Sequence, residues 1–166
     1  HDAIRLASGL WVALTFFLLY RAGREWHFNE EAPHEFAIAS VLAMAGCLGF
    51  LFHAHEAQPM LVALAGHAAA YWGLALLPRK PRRAALVFGL GAGLGFLGSG
   101  LAAMLALIPV AIIAAMLQTD RRQAALALAA GTAIGLAIAL PWPVAVLSLK
   151  PDYFAQWLAN ELAQFG

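Results

Sequence analysis

Charged residues are scarce in this sequence. Asp, Glu, Lys and Arg make up 11% of its 166 residues, whereas 63% are hydrophobic and the mean hydropathy is +0.76. A water-soluble domain usually carries about a quarter charged residues. The composition therefore predicts an integral membrane protein, and the net charge of +1 gives no electrostatic reason to expect a nucleic acid as partner.

Cysteine is almost missing as well. The single Cys47 excludes an internal disulfide and any Cys-rich metal motif. A phosphate-binding glycine loop is also disfavoured, because "GLGAGLG" follows no predicted strand and no Gly-Lys-Ser/Thr comes after it. The opening "HDAIRLASGL" has neither an initiator Met nor the pattern of a signal peptide, so we expect a fragment of a longer protein.

Long apolar runs dominate what is present. A membrane-crossing helix needs roughly 20 mostly apolar residues. Six runs suit such helices: Ala7–Tyr20, Phe36–Phe52, Met60–Leu77, Ala84–Leu97, Leu101–Leu117 and Ala124–Leu140. We therefore predict an all-α, polytopic bundle of about six transmembrane helices forming a single transmembrane domain over residues 1–166, with the six helices within residues 1–141.

The fourth and fifth runs form one uncharged stretch from Ala84 to Leu117. That stretch is too long for one ordinary crossing of roughly 20 residues. Its middle, "GLGAGLGFLGSGL", is rich in glycine, which permits a sharp reversal and close contact between helices. We predict two helices that turn near Gly98–Gly100.

The basic residues orient these helices, since short cytoplasmic loops collect Lys and Arg. With six crossings, eight basic residues fall on one side and two, Arg5 and Lys150, on the other. The loops "RAGREWHFNEEAPHE", "PRKPRR" and "TDRRQ" are thus predicted to be cytoplasmic and to contact anionic headgroups. The glutamates of the first of these loops, beginning with Glu25, are interpreted as solvated surface charge.

The chain ends with an amphipathic segment. Pro141 and Pro143 are expected to stop the sixth helix. After Pro151, apolar residues recur at helical spacing, with Asn160 and Glu161 off the apolar face. Residues 142–166 are therefore predicted to be an extracytoplasmic segment with a helix on the membrane surface.

The loop "FHAHEAQP" concentrates polar side chains on the predicted outer face: His53, His55, Glu56 and Gln58. His53, His55 and Glu56 are suitable ligands for a divalent metal, but positions i, i+2 and i+3 cannot all project the same way from a regular helix. Three interpretations stay open: a metal site, a substrate-contacting loop, and a polar loop without a direct role.

Further polar residues are predicted on the same side. They are Ser99 at the reversal and Lys150, Asp152, Asn160 and Glu161 near the end of the chain. His67 lies inside the third predicted span. A histidine there is a functional candidate, although a hydrogen bond to a neighbouring helix is the more common outcome.

Several stretches together resemble a known family. The order of "RLASGLWVAL", a polar loop, "GLGFLGSGLAAMLALIP", a basic turn, "ALPWPVAV" and "WLANELAQF" is similar to bacterial members of the protein mannosyltransferase and aminoarabinose transferase group. These are polytopic glycosyltransferases of the GT-C type. The resemblance implies transfer of a sugar from a polyprenyl phosphate to a lipid or protein acceptor at the extracytoplasmic face of the bacterial inner membrane.

The resemblance also suggests roles for particular positions. The family's catalytic acidic residues precede its second membrane helix, which "HDAIRLASGL" resembles, so the catalytic residue is expected upstream of this sequence. An arginine and an aspartate typical of the family fall on His55 and Met60, and a lysine falls on Ser99. The tail pattern is kept in Trp157, Asn160, Glu161 and Phe165.

We therefore expect the substrate-side residues to be His53, His55, Glu56, Gln58, Ser99, Lys150, Trp157 and Glu161. The phosphate would need a cation, which Lys150 and protonated His53 and His55 could provide. The alternative is a small multi-span transporter or a non-catalytic membrane scaffold. A transporter should have a broken helix with polar groups at mid-membrane, where only His67 is well placed.

Overall fold

The structure, a computed structural model, describes residues 2–47 and 59–163. These residues form seven α-helices. They are α1 (Asp2–Trp26), α2 (Pro33–Ala45), α3 (Met60–Leu76), α4 (Pro81–Met116), α5 (Arg121–Ala139), α6 (Pro141–Leu149) and α7 (Pro151–Ala163). The described ranges contain no strand, and the prediction of an all-α protein is confirmed.

The helix starts follow local chemistry. Proline opens α2, α4 and α6, where its missing N–H leaves no helical bond unmade. Asp120 precedes α5, and its Oδ1 accepts a hydrogen bond of 3.0 Å from the N–H of Gln123. The proline pair after the sixth predicted span does end α5, but the chain continues at once into α6.

Helix α4 is broken at Ser99 and Gly100. Gly100 has φ 69° and ψ −150°, a conformation open in practice only to glycine. The two halves, 81–98 and 101–116, fold back on each other, because Ala84 and Ala114 share one core cluster and a Cβ on Gly95 would lie 3.7 Å from that of Ala103. The predicted reversal is confirmed.

Small residues let the backbones of α3 and the first half of α4 approach closely. A Cβ on Gly66 would lie 2.5 Å from the nitrogen of Gly95, and one on Gly73 would lie 2.5 Å from the nitrogen of Phe88. These pairs run in opposite order along the two helices, which are therefore antiparallel. The close-packing role expected for the glycines is confirmed.

The starts of α4 and α5 lie at the same end of the bundle, because Ala85 packs against Gly131. We call this end, with Arg79, Lys80, Arg82, Arg83, Arg121 and Arg122, the basic end. Arg79 and Lys80, after α3, form salt bridges with Glu25 of α1. The Arg79 guanidinium also lies 3.7 Å from the ring centroid of Phe28. The interpretation of Glu25 as solvated surface charge is wrong, since its side chain is only 12% exposed between two cations.

Three helical segments of the described chain are long and apolar enough to cross a membrane: Leu6–Trp26, Pro81–Met116 and Arg121–Leu149. Met60–Leu76 is apolar but shorter. Because Pro81–Met116 folds back, its halves are about 27 Å and 24 Å long, close to a hydrocarbon core of about 30 Å. Only the part of Phe36–Phe52 before residue 48 is described, and the count of six crossings stays a prediction.

Candidate functional site

A cavity of about 450 Å³, with a mixed polar and apolar lining, lies at the end of the bundle opposite the basic end. The start of α3, the reversal in α4, the start of α6 and the helix α7 meet there. Its lining consists of Met60, Phe96, Leu97, Gly98, Ser99, Gly100, Trp142, Trp157 and Glu161. We call it the reversal cavity.

Aromatic rings form one wall of the reversal cavity. The ring of Trp157 lies 5.1 Å from Trp142 and 6.4 Å from Phe96, measured between centroids, and meets both edge to face. This geometry is favoured by the ring quadrupoles. Helix α7 is therefore held against α4 and α6 through Trp157, whose ring is partly buried at the cavity wall.

Glu161 is the charged side chain of the lining and is only 8% exposed. Its Oε2 accepts a hydrogen bond of 2.8 Å from the N–H of Leu101. Leu101 begins the second half of α4, so the carboxylate lies at the partially positive end of a helix. The spacing of apolar residues in α7 predicts Glu161 off the apolar face, but in the structure this side chain is buried in the bundle.

Gly100 is required by the same contact. A Cβ at this position would collide with both carboxylate oxygens of Glu161. The positive φ independently favours glycine. The reversal and the buried carboxylate are thus mutually dependent features of the site.

The structure brings three predicted site residues together: Ser99, Trp157 and Glu161 all line the reversal cavity. Lys150 is not part of this lining. It lies exposed between α6 and α7, where its carbonyl accepts the N–H of Phe154. Lys150 therefore contributes nothing to the lining that would support its predicted role as the cation of the site.

The predicted residues His53, His55, Glu56 and Gln58 lie outside the described residues. Pro59 and Met60, which follow them directly, are described, and Met60 lines the reversal cavity. Within residues 2–47 and 59–163, no group of three His, Cys, Asp or Glu side chains could hold a metal ion.

Sequence reasoning missed Phe96 and Trp142 as site residues. Phe96 is buried and contacts Trp157, 61 positions further along the chain. One feature of the sequence could have indicated Phe96. It lies just before the predicted turn at Gly98–Gly100, so its ring is close to any segment that packs on that turn.

A second, apolar cavity of about 510 Å³ lies between both halves of α4 and α5. Its lining side chains are apolar except Thr132, and along the second half of α4 they extend from Leu101 to Ala115. Leu101 directly follows Gly100 of the reversal cavity. Adjacent residues at the turn therefore line the two cavities.

His67 has a packing role in the described structure. Its Nδ1 lies 2.7 Å from the carbonyl oxygen of Ala63, one turn earlier in α3. Its Nε2 lies 3.1 Å from the carbonyl oxygen of Ala103 in the second half of α4. The prediction of a hydrogen bond to a neighbouring helix is confirmed.

Comparison with known proteins adds independent evidence. The dolichyl-phosphate-mannose-protein mannosyltransferase family matches residues 1–146. The chain is also 29% identical over 159 residues to the undecaprenyl phosphate-alpha-4-amino-4-deoxy-L-arabinose arabinosyl transferase of Photorhabdus laumondii subsp. laumondii, covering 92% of this chain and 28% of that relative. No solved structure matches significantly. Because the family match covers most of the chain and the helices are those of a multi-pass membrane protein, the chain belongs to the dolichyl-phosphate-mannose-protein mannosyltransferase family.

Proposed function

We propose that the protein is a membrane glycosyltransferase that transfers a sugar from a polyprenyl-phosphate donor to a lipid or protein acceptor. Membership of the mannosyltransferase family supports this activity. The name of the Photorhabdus relative specifies undecaprenyl phosphate-linked 4-amino-4-deoxy-L-arabinose as its donor. The chain spans 28% of that relative's length.

The observation that carries the proposal is that adjacent residues at the reversal line two unlike cavities. Gly100 lines the reversal cavity, whose lining includes Ser99 and Glu161, and Leu101 lines the apolar cavity. A polyprenyl-phosphate sugar has the same division into a polar head and a long apolar chain. The head would occupy the reversal cavity, while the isoprenoid chain would lie between the halves of α4 and α5.

The chemistry of the reversal cavity suits a sugar. Trp157 and Trp142 offer apolar ring surface for the C–H face of a pyranose, and Glu161 offers a second carboxylate oxygen as acceptor for a sugar hydroxyl or amine. A cavity of about 450 Å³ lies within the usual range of roughly 300–1,000 Å³ for small-molecule sites.

The reaction itself needs two groups, a base and a cation, and the described lining has no cation. An acceptor oxygen attacks the anomeric carbon, the bond from that carbon to the phosphate oxygen breaks, and polyprenyl phosphate departs. A base takes the acceptor's proton, and a cation stabilises the leaving phosphate. We assign the cation to His53, His55 or Lys150, with His55 preferred, and the base to an acidic residue upstream of this sequence.

Orientation follows from the basic end. If Arg79, Lys80, Arg82 and Arg83 face the cytoplasm, as the positive-inside rule indicates, the reversal cavity opens on the extracytoplasmic side. The donor headgroup would then be used on the outer side of a bacterial inner membrane. The bacterial origin of the relative agrees with that location.

The test is sugar transfer by the full-length protein in membranes, measured as release of polyprenyl phosphate from a labelled donor. Trp157→Ala should lower turnover by about tenfold, the value of one aromatic contact of roughly 1.4 kcal/mol. The matched control is Tyr153→Ala on the same helix, because Tyr153 is 56% exposed and does not line the cavity. Equal activity of both variants, or transport without transfer in the wild type, would overturn the proposal.

A further inference from the structure

A third groove of about 510 Å³ lies at the basic end, between the first half of α4 and α5. It is far from the reversal cavity and plays no part in the proposed transfer. Its main contributors are Arg82, Leu86, Gln123, Leu126, Ala130 and Ile134. We call it the basic-end groove.

The two helices that form this groove run parallel. Gly131 of α5 lies against the backbone of Ala85, and further along Gly93 of α4 lies against Ile138. Both helices therefore begin at the basic end, and both of their partially positive N-termini are directed to the mouth of the groove. Arg82 and Gln123 lie at that mouth.

The charge at the mouth is strongly unbalanced. Four arginines, Arg82, Arg83, Arg121 and Arg122, stand near a single carboxylate, Asp120, which already caps the N–H of Gln123. Glu25 engages Arg79 and Lys80 instead. None of the four arginines has a salt-bridge partner within the described chain. An anion with several oxygen atoms would complement this surface.

Below the mouth the groove is apolar. Its lining includes Ala85, Ala127 and Ala130. Leu86 and Leu126 also line it and are 54% and 63% exposed. In a membrane this surface meets lipid chains. Basic pockets between helices at the cytoplasmic side are suited to anionic headgroups.

We infer that the basic-end groove binds an anionic phospholipid, with its phosphate at Arg82 and one acyl chain along the slot between Leu86 and Leu126. The excess of arginines at the mouth complements the net negative charge of such a lipid, and a zwitterionic lipid has no net charge to match it. The position of the groove at the end opposite the reversal cavity separates this lipid from the sugar donor.

The first test compares two adjacent arginines. The full-length protein is reconstituted with phosphatidylglycerol or with phosphatidylcholine of identical chains, and the lipids it retains are counted by native mass spectrometry. Arg82→Gln should weaken phosphatidylglycerol retention about fivefold, the effect of one cation near a headgroup. Arg83→Gln makes the same charge change outside the groove lining and should leave retention nearly unchanged.

The second test fills the slot. Ala130→Trp should block the acyl chain and abolish the preference for phosphatidylglycerol, while Ala133→Trp, at an exposed position of the same helix outside both linings, should not. Gel filtration checks that both variants remain folded. If Ala130→Trp does not fold, the arginine pair decides the question alone.

Three results would overturn the inference. Equal loss with Arg82→Gln and Arg83→Gln would indicate a diffuse surface attraction without a site. Displacement of the lipid by glycerol 3-phosphate would indicate a site for a free phosphate. A cross-link from Leu126 to another helix of the full-length protein, with lipid retention unchanged by Arg82→Gln, would show that protein covers the groove.

Discussion

The carboxylate of Glu161 caps the second half of α4, because its Oε2 accepts a hydrogen bond of 2.8 Å from the N–H of Leu101. The two residues lie 60 positions apart. The bond joins the terminal helix α7 to the reversal and closes the reversal cavity from one side. A single buried group thus supports both the fold and the candidate site.

Replacing Glu161 should test both roles. Glu161→Ala leaves the Leu101 N–H without a partner, so we expect the free energy of unfolding to fall by about 1–3 kcal/mol. Glu161→Gln keeps a carbonyl acceptor and should recover much of that stability. SDS titration of the purified protein measures the difference, and equal stability of both variants would contradict the capping role.

Gly100→Ala should be more damaging than an ordinary glycine substitution. The new Cβ would meet the Glu161 carboxylate, and the positive φ is strained for alanine. We expect a loss of about 1–3 kcal/mol in unfolding free energy. Gly9→Ala is the control, since a Cβ there has open space inside α1 and should be neutral or stabilising by up to about 1 kcal/mol. Similar effects at both positions would refute the strain argument.

The Glu25–Arg79 salt bridge should join α1 to the loop after α3. A double-mutant cycle with Glu25→Gln and Arg79→Gln should give a coupling energy of about 0.5–1 kcal/mol, weaker at high salt. Arg79→Lys keeps the charge but loses part of the stacking on Phe28, so it should restore stability only in part. A coupling energy of zero at low salt would show that the pair contributes nothing.

His67 should stabilise the contact between α3 and the second half of α4. His67→Ala removes the interaction with the carbonyl of Ala103 and should lower the unfolding free energy by about 0.5–2 kcal/mol. His67→Gln retains an N–H donor of similar reach and should be milder. Thermal unfolding in one detergent ranks the three proteins, and a melting temperature unchanged by His67→Ala would exclude this role.

Sequence reasoning was reliable where a local pattern had one physical solution. An uncharged run from Ala84 to Leu117 is too long for one crossing, and glycine near its centre permits a turn, so the reversal could be predicted. The bounds of α3, Met60–Leu76, match a predicted apolar run almost residue for residue. Glu25 was misread because its partners, Arg79 and Lys80, belong to a loop more than 50 positions away.

The candidate site was predicted in part. Ser99, Trp157 and Glu161 were chosen from a family resemblance, and the structure brings them to one cavity. Lys150 shared the predicted side of the membrane but not the cavity, since it lies exposed between two helices. Phe96 was overlooked because its only signal was its position just before the predicted turn, and the residue that packs against it, Trp157, is 61 positions away.

The sequence by itself determined the all-α membrane character, the place of the reversal and the three clusters of basic residues, because hydropathy, glycine and charge act locally along the chain. Only the tertiary structure decided that Glu161 is buried at Leu101, that Trp157 meets Phe96 and Trp142, and that α4 and α5 enclose a groove at the basic end. These features depend on which helix faces pack together. Such faces are set by close contacts between small residues far apart in the chain, and no stretch of sequence encodes them alone.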